Sequence, residues 1–151
     1  IDPVEFDDAL SVGFAAAGEG LWGIHPVPNA FFQRFKLSTD LRYICGGFYG
    51  FTATRDPSLL VSLEDKEDFE RSMLWYLRDG QVARLNWVSM RTTGYSGAGG
   101  MQETRTPERV DAAARELAAR WPSLCSLNTK KKSKWAEVRL RDRRPQPEAL
   151  A

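Results

Sequence analysis

Apolar side chains recur at helical spacing in three segments of the chain. In residues 3–17 they recur every four positions, at Phe6, Leu10 and Phe14, and Gly18 follows as a helix stop. The sequence therefore predicts a first helix over residues 3–17.

Two further helices are predicted from the same spacing together with signals at their ends. Ser62, followed three positions later by Asp65, resembles a capping arrangement for a helix from about residue 63 to 79, which Gly80 would end. Thr106 followed by Pro107 is a favourable helix start, because the hydroxyl can accept an amide proton and proline has none to donate. The apolar face of this third helix ends before a proline at 122 and contains Val110, Ala114, Leu117, Ala118 and Trp121.

Alternation of apolar and polar residues predicts strands. Residues 81–90 place Ala83, Leu85 and Trp87 on one side, which is typical of a half-buried strand. Residues 41–54 are rich in aromatic and β-branched residues but contain three glycines, which predicts a strand pair or a bulged strand with its rings in the core. The apolar run at 59–63 predicts one more short strand.

The most charged stretch of the chain also has the period of a strand. From residue 135 to 141, Ala136, Val138 and Leu140 alternate with polar residues. We therefore predict a strand that packs these three aliphatic side chains inward and presents a basic face to solvent. The lysine run before it is predicted to be a loop, and residues 145–151 a frayed tail.

These elements predict an α+β fold. We expect a single domain over residues 1–144, with a mainly antiparallel sheet of about four or five strands and two to three helices packed on one face. The length of 151 residues suits one domain, and 42% hydrophobic with 27% charged residues is the composition of a globular chain rather than a disordered one.

Charge is distributed unevenly along the chain. The net charge is +1, yet residues 1–20 contain five acidic and no basic residues, whereas residues 130–144 contain eight basic and two acidic ones. Such separation predicts either a partner for one end or pairing between the two ends in the fold.

The basic strand is the candidate binding site. Arginine forks bind phosphate oxygens, and an aromatic ring can stack on an unpaired base. We therefore predict a non-enzymatic module that contacts nucleic acid or another polyanion. The predicted contact residues are Lys130, Lys131, Lys132, Lys134, Trp135, Arg139, Arg141 and Arg143.

Two other functions stay open. The acidic first helix, the basic strand or the glycine-rich loop at 94–100 could meet an acidic or otherwise complementary protein surface, as in an adaptor, an inhibitor or a toxin-neutralising protein. Asp56, Glu64 and Lys66 resemble the metal site of PD-(D/E)xK nucleases, although the same residues also suit a helix start.

Several classes of site have no support in the sequence. Cys45 and Cys125 lie far apart without a CxxC pair, and His25 is the only histidine, so we predict no catalytic residue, no metal site and no cofactor. A reducing compartment, the cytoplasm or the nucleus, is expected. No apolar run approaches the roughly 18 residues of a membrane span, so no membrane partner is expected. The oligomeric state is left open.

Overall fold

The computed structural model of the protein describes residues 3–91, 105–130 and 135–145. Within these ranges there are three α-helices and one short 3-10 turn at Pro57–Leu59. The helices are α1 (Pro3–Ala17), α2 (Glu67–Asp79) and α3 (Pro107–Arg120). None of the helices in these ranges is long and apolar enough to cross a membrane.

The strands form two separate sheets. The larger sheet contains β1 (Trp22–His25), β2 (Leu37–Ser38), β3 (Tyr49–Gly50) and β4 (Ala83–Ser89), and the smaller one contains β5 (Cys125–Leu127) and β6 (Val138–Leu140). The α+β class predicted from the sequence is therefore confirmed.

The larger sheet is mixed, so the prediction of a mainly antiparallel sheet is wrong. Its order is β2-β4-β1-β3, and the two central strands β1 and β4 run parallel, whereas β2 and β3 pair antiparallel at the edges. Parallel neighbours cannot be joined by a tight turn and need a long crossover. The chain between β1 and β4 contains both edge strands and α2, which together make that crossover.

Two hydrophobic clusters hold these elements together. Trp22, Ala83 and Leu85 of the central strands pack with Ala9 and Ala17 of α1. The other cluster joins α2, α3 and the smaller sheet through buried side chains that include Ile44, Met73, Tyr76, Leu117 and Val138. The helices therefore pack in two different clusters. The sequence analysis had predicted instead that they would pack together on one face of the sheet.

The predicted first and third helices are confirmed. Gly18 follows α1 with a φ of 60°, a conformation that glycine adopts without strain. At the start of α3, the hydroxyl of Thr106 accepts a hydrogen bond of 3.3 Å from the backbone N–H of Arg109. These signals act within one helical turn, which is why the sequence alone revealed them.

The second helix begins later than predicted, at Glu67 instead of about residue 63. Ser62 does not cap it, because the backbone N–H groups of Ser62 and Leu63 each donate a hydrogen bond of 2.9 Å to the carboxylate of Glu70. Those bonds hold residues 62–63 alongside the helix rather than within it. Lys66 takes the N-cap position with a φ of 66° and no side-chain cap.

Two strand predictions are also corrected. Residues 59–63 do not form a strand, since Leu59 ends the 3-10 turn and residues 60–63 are irregular. Of residues 41–54, only Tyr49–Gly50 is a strand. A Cβ atom at Gly50 would lie 2.6 Å from the indole nitrogen of Trp22, so this glycine lets β3 approach the buried ring.

Candidate nucleic-acid interface

The predicted basic strand is present but shorter than expected and lies in the smaller sheet. β6 pairs antiparallel with β5, with Ser126 opposite Arg139. Beyond β6 the backbone N–H groups of Arg141 and Arg143 donate hydrogen bonds of 2.8 Å to Leu124 and Ser123. Residues 138–143 are therefore held as an extended ribbon along residues 123–127.

The two faces of this ribbon differ as the alternation predicted. Val138 is buried, and Ala136 and Leu140 pack partly against the hydrophobic cluster of α2 and α3. Arg139 and Arg141 point to solvent. Neither guanidinium forms a hydrogen bond or ion pair with the described part of the chain. Their charge is thus available for a ligand.

The other predicted contact residues differ in their surroundings. Lys130 is exposed. Arg143 is exposed as well, but its guanidinium donates a hydrogen bond of 2.7 Å to the hydroxyl of Ser126. Trp135 is half-buried and already has an interaction within the protein, so it is not a free stacking platform. Three predicted lysines, Lys131, Lys132 and Lys134, lie outside the described residues, as does the glycine-rich loop at 94–100.

An acidic residue anchors the end of the ribbon. The carboxylate of Asp142 accepts hydrogen bonds of 2.9 Å from the hydroxyl of Tyr76 in α2 and of 2.8 Å from the guanidinium of Arg144. The bonds from Arg144 hold the pKa of this carboxyl well below its usual range. The charge of Arg144 is therefore neutralised locally. In the described part of the chain, the ribbon's arginines without an acidic partner are Arg139, Arg141 and Arg143, of which Arg143 is hydrogen-bonded to the neutral hydroxyl of Ser126.

A groove of about 290 Å³ beside β6 adds two arginines that the sequence analysis missed. Arg42, Arg84 and Arg139 line it together with the rings of Tyr43 and Phe69. We call the exposed guanidinium groups of Arg139 and Arg141, with Arg42 and Arg84 in this groove, the basic surface. Arg84 lies on β4, far from β6 in sequence, so no local pattern could have linked it to Arg139.

The environment of Arg84 is unusual for a half-buried arginine. Its guanidinium donates 2.8 Å and 3.5 Å hydrogen bonds to two neutral oxygens, the side-chain oxygen of Asn86 and the backbone oxygen of Tyr43. It forms no ion pair within the described ranges. Burial, followed by repulsion from Arg42, lowers the pKa of Arg84 to about 10. An anion bound in the groove would favour the charged form of Arg84 and so offset both the burial and the repulsion from Arg42.

The acidic N-terminal helix does not neutralise the basic surface. Glu5, Asp7 and Asp8 are exposed on α1, which packs on β1 and β4. In the ranges that the structure describes, no ion pair joins these residues to β6. Pairing between the two charged ends, one of the two arrangements expected from the sequence, is therefore not found there.

A larger cleft of about 460 Å³ lies at the start of α2, and several of its polar groups are hydrogen-bonded to one another. The hydroxyl of Tyr43 donates a hydrogen bond to Asp68, and burial together with this carboxylate raises the pKa of Tyr43. Asp65 accepts a hydrogen bond of 2.8 Å from Arg105 and lies 3.3 Å from the guanidinium of Arg109. Such internal pairing is typical of a structural cluster.

The three residues considered for a nuclease site have separate local roles. Asp56 accepts a 2.9 Å hydrogen bond from the backbone of Ser58 at the start of the 3-10 turn. Glu64 lies 2.7 Å from Arg109, and the ammonium group of Lys66 lies 5.3 Å from the ring of Phe69. In the described part of the chain, no group of three or more histidine, cysteine, aspartate or glutamate residues is arranged to hold a metal ion.

Comparisons of the chain with protein-family models, with curated proteins and with solved structures found no match.

Proposed function

We propose that the protein is a non-enzymatic module that binds nucleic acid through the basic surface. The observation that carries the proposal is that Arg139 and Arg141 project from an ordered ribbon without any acidic partner in the described chain. Alternate residues of an extended ribbon share a face, and their Cα atoms lie about 7 Å apart, so the two arginine side chains leave the backbone at a set spacing. A backbone that is already ordered loses less conformational entropy on binding than a flexible one.

The groove beside β6 supports phosphate as the group that is bound. Arg84 is half-buried with only neutral hydrogen-bond acceptors, and Arg139 lines the same groove without an ion pair in the described chain. Arg42 lines it as well and pairs with Asp40 at 2.9 Å. Guanidinium groups bind phosphate oxygens with paired hydrogen bonds, and phosphate contacts dominate the affinity of proteins for nucleic acid. Trp135 is half-buried and already has an interaction within the protein, so it is not a free platform for stacking on a base. The proposal therefore rests on contacts with the sugar-phosphate backbone of the nucleic acid and implies little preference for base sequence.

The test is a salt titration with labelled single-stranded and duplex oligonucleotides, followed by fluorescence anisotropy. We expect binding at low salt. The logarithm of the observed association constant should fall linearly with the logarithm of the salt concentration. The double variant Arg139→Gln/Arg141→Gln should lower the affinity at least tenfold and reduce the salt slope by about 1 to 2. If the groove binds a phosphate, the single variant Arg84→Met should also weaken binding in a chain that keeps Arg139 and Arg141.

A matched control has the same change in net charge. Arg55 and Arg115 are exposed and neither lines the groove. The double variant Arg55→Gln/Arg115→Gln should leave the salt slope unchanged. No binding at low salt, or equal slopes for the two double variants, would remove the proposal. Copurification of a stoichiometric acidic protein without nucleic acid would favour the protein-binding alternative instead.

A further inference from the structure

A groove of about 430 Å³ lies between α1 and the end of β4. One side is formed by residues 5, 8, 9 and 12 of α1, whose spacing of three and four places them on one face of the helix. The other side is formed by residues 87–89 of β4 together with Gln33. None of the four arginines of the basic surface lines this groove, so it is a separate site.

The charged residues of this groove are acidic. Of the described residues that line it, only Glu5 and Asp8 carry a charge. Both are exposed, and neither forms a hydrogen bond or an ion pair within the described ranges. The side-chain amide of Gln33 donates a hydrogen bond to the hydroxyl of Ser89, so these two neutral polar side chains satisfy each other. The two carboxylates are therefore the polar side chains that remain for a ligand, and we call the site the acidic groove.

Helix stabilisation accounts for one of the two carboxylates but not for the other. Glu5 lies in the first turn of α1, where an acidic side chain interacts favourably with the helix dipole. Asp8 lies in the second turn, where that effect has faded, and aspartate is a poor helix former. The helix alone therefore gives no reason for an unpaired carboxylate at position 8.

The rest of the groove is largely apolar, and an exposed ring extends it. Phe35 is 90% exposed and packs on Trp87 of the groove with ring centroids 4.9 Å apart. The backbone N–H of Arg34 donates a hydrogen bond of 3.1 Å to the carbonyl of Asn86 in β4, and the N–H of Asn86 donates one of 3.2 Å to Lys36. Phe35 is thus displayed by a fixed segment. A large exposed ring beside an apolar groove is typical of an interaction surface.

The basic residues on either side of Phe35 do not neutralise the groove. Neither Arg34 nor Lys36 lines it. The guanidinium of Arg34 donates hydrogen bonds of 2.8 Å and 2.7 Å to the backbone carbonyls of Phe31 and Gln33, so it is directed to its own segment.

We propose that the acidic groove is the docking site for a basic amphipathic segment of a partner protein. Apolar side chains of the segment would enter between Val12 and Trp87, and lysine or arginine side chains would lie against Glu5 and Asp8. Asp8 and Val12 are one helical turn apart, about 5 to 6 Å between their Cβ atoms, so the segment must present a basic and an apolar side chain at a similar separation. A cation of the segment would also be attracted to the face of the Trp87 ring.

The lining decides between this segment and other occupants. A nucleic acid or an anionic membrane would bring negative charge against Glu5 and Asp8, which is repulsive. A two-fold contact of the groove with the groove of a second copy would set the same carboxylates against each other. A purely apolar segment would leave two carboxylates unpaired beside a dry contact, which costs free energy. A basic amphipathic segment matches the charges and the apolar lining together.

The first test uses a synthetic peptide as the probe. It is a fluorescein-labelled peptide of lysine and leucine, arranged so that a helix of it has one basic and one apolar face, and its matched control has glutamate at every lysine position. Fluorescence anisotropy of the full chain with each peptide measures binding. We expect the lysine peptide to bind with an affinity that falls as salt is added, and the glutamate peptide not to bind. No binding of the lysine peptide, or equal binding of the two, would overturn the proposal.

The second test removes the carboxylates. Glu5→Gln/Asp8→Asn should weaken binding of the lysine peptide about tenfold. The control Asp7→Asn/Glu19→Gln removes the same charge from exposed residues that do not line the groove, and it should change the affinity less than about twofold. Equal losses in the two double variants would show attraction to the net charge of the protein and would contradict docking in the groove.

The third test concerns the apolar lining. Val12→Ser should weaken binding of the lysine peptide about fivefold, because Val12 lines the groove. The control is Leu77→Ser, since Leu77 is an aliphatic residue on α2 with nearly the same exposure, 41% against 40% for Val12, and does not line the groove. Circular dichroism of each variant establishes that it folds. A folded Val12→Ser variant that binds as the wild type does would count against the proposal.

Two further results would assign the groove to another occupant and so overturn the proposal. One is a homodimer in analytical ultracentrifugation that Val12→Ser disrupts. The other is binding of phosphatidylserine vesicles that is lost in Phe35→Ser.

Discussion

The buried carboxylate of Glu70 accepts a hydrogen bond of 2.8 Å from the guanidinium of Arg120, and this pair ties α2 to the end of α3. Glu70 is only 1% exposed. Its oxygens also accept hydrogen bonds from the hydroxyl of Ser62 at 2.8 Å and from the backbone of Ser62 and Leu63 at 2.9 Å. One side chain therefore joins two helices and the segment that precedes α2.

Removing this carboxylate should be strongly destabilising. Glu70→Ala leaves the backbone N–H groups of Ser62 and Leu63 without their acceptor and removes one of the two carboxylates that pair with Arg120, so we expect a loss of about 2 to 3 kcal/mol. Urea unfolding followed by circular dichroism measures the change. Glu116 is the control, because its carboxylate also pairs with Arg120 but is 49% exposed. Glu116→Ala should cost less than about 1 kcal/mol, and equal losses at the two positions would contradict the assignment.

Gly13 gives a case in which packing should reverse the usual effect of a helix substitution. Replacing glycine by alanine within a helix normally stabilises it by about 1 kcal/mol. A Cβ atom at Gly13, however, would lie 2.3 Å from the ring of Trp22, which is buried between α1 and β3. We expect Gly13→Ala to lower the free energy of unfolding by about 1 to 3 kcal/mol. Ser11→Ala, on the exposed side of α1, should be neutral or slightly stabilising, and a stabilised Gly13→Ala would show that the ring moves freely.

Asp142 should make stability depend on acid pH. Its folded pKa is held below the ordinary value of 3.8, chiefly by the side chain of Arg144. A depressed folded pKa contributes stability that is fully present above the unfolded pKa and is lost as the pH falls through the folded pKa. The free energy of unfolding should therefore decline below about pH 4. Asp142→Asn should be less stable at pH 7 by about 1 kcal/mol, after allowance for solvent screening, and should decline less steeply in acid.

The two cysteines should differ in reactivity. Burial raises the pKa of the Cys125 thiol to about 11, which leaves almost no thiolate at neutral pH. Cys45 is only partly buried, in the cleft at the start of α2. Iodoacetamide should therefore label one site in the native protein and two in urea, as counted by mass spectrometry. Cys45→Ser should abolish native labelling, and labelling of Cys125 in the folded state would contradict its burial.

Features that act over a few neighbouring residues were predictable from the sequence. Thr106 and Pro107 start α3, Gly18 and Gly80 end α1 and α2, and the alternation around Val138 indicated a strand with Arg139 facing solvent. Each of these signals works within one helical turn or one strand. Helix capping, left-handed backbone and side-chain alternation are local properties of the chain.

Other features depend on residues that meet only in the folded chain. The start of α2 was misplaced because Glu70 draws the backbone of Ser62 and Leu63 away from the helix. The exposure of Phe35 was not anticipated, because apolar rings are usually interior and the sequence of residues 31–37 is ambiguous. Local patterns report the preference of a segment, but tertiary contacts can override that preference.

The amino-acid sequence by itself determined the α+β class and two of the three helix starts. It also determined the position of the basic ribbon and which of its side chains face solvent. Each of these features follows from the spacing of nearby side chains. Only the tertiary structure decided the parallel pairing of β1 with β4, the meeting of Arg84 with Arg139, and the exposure of Phe31, Phe32 and Phe35. The physical reason is that strand pairing and groove formation are set by the burial of distant apolar surfaces against one another. No short stretch of residues specifies that arrangement.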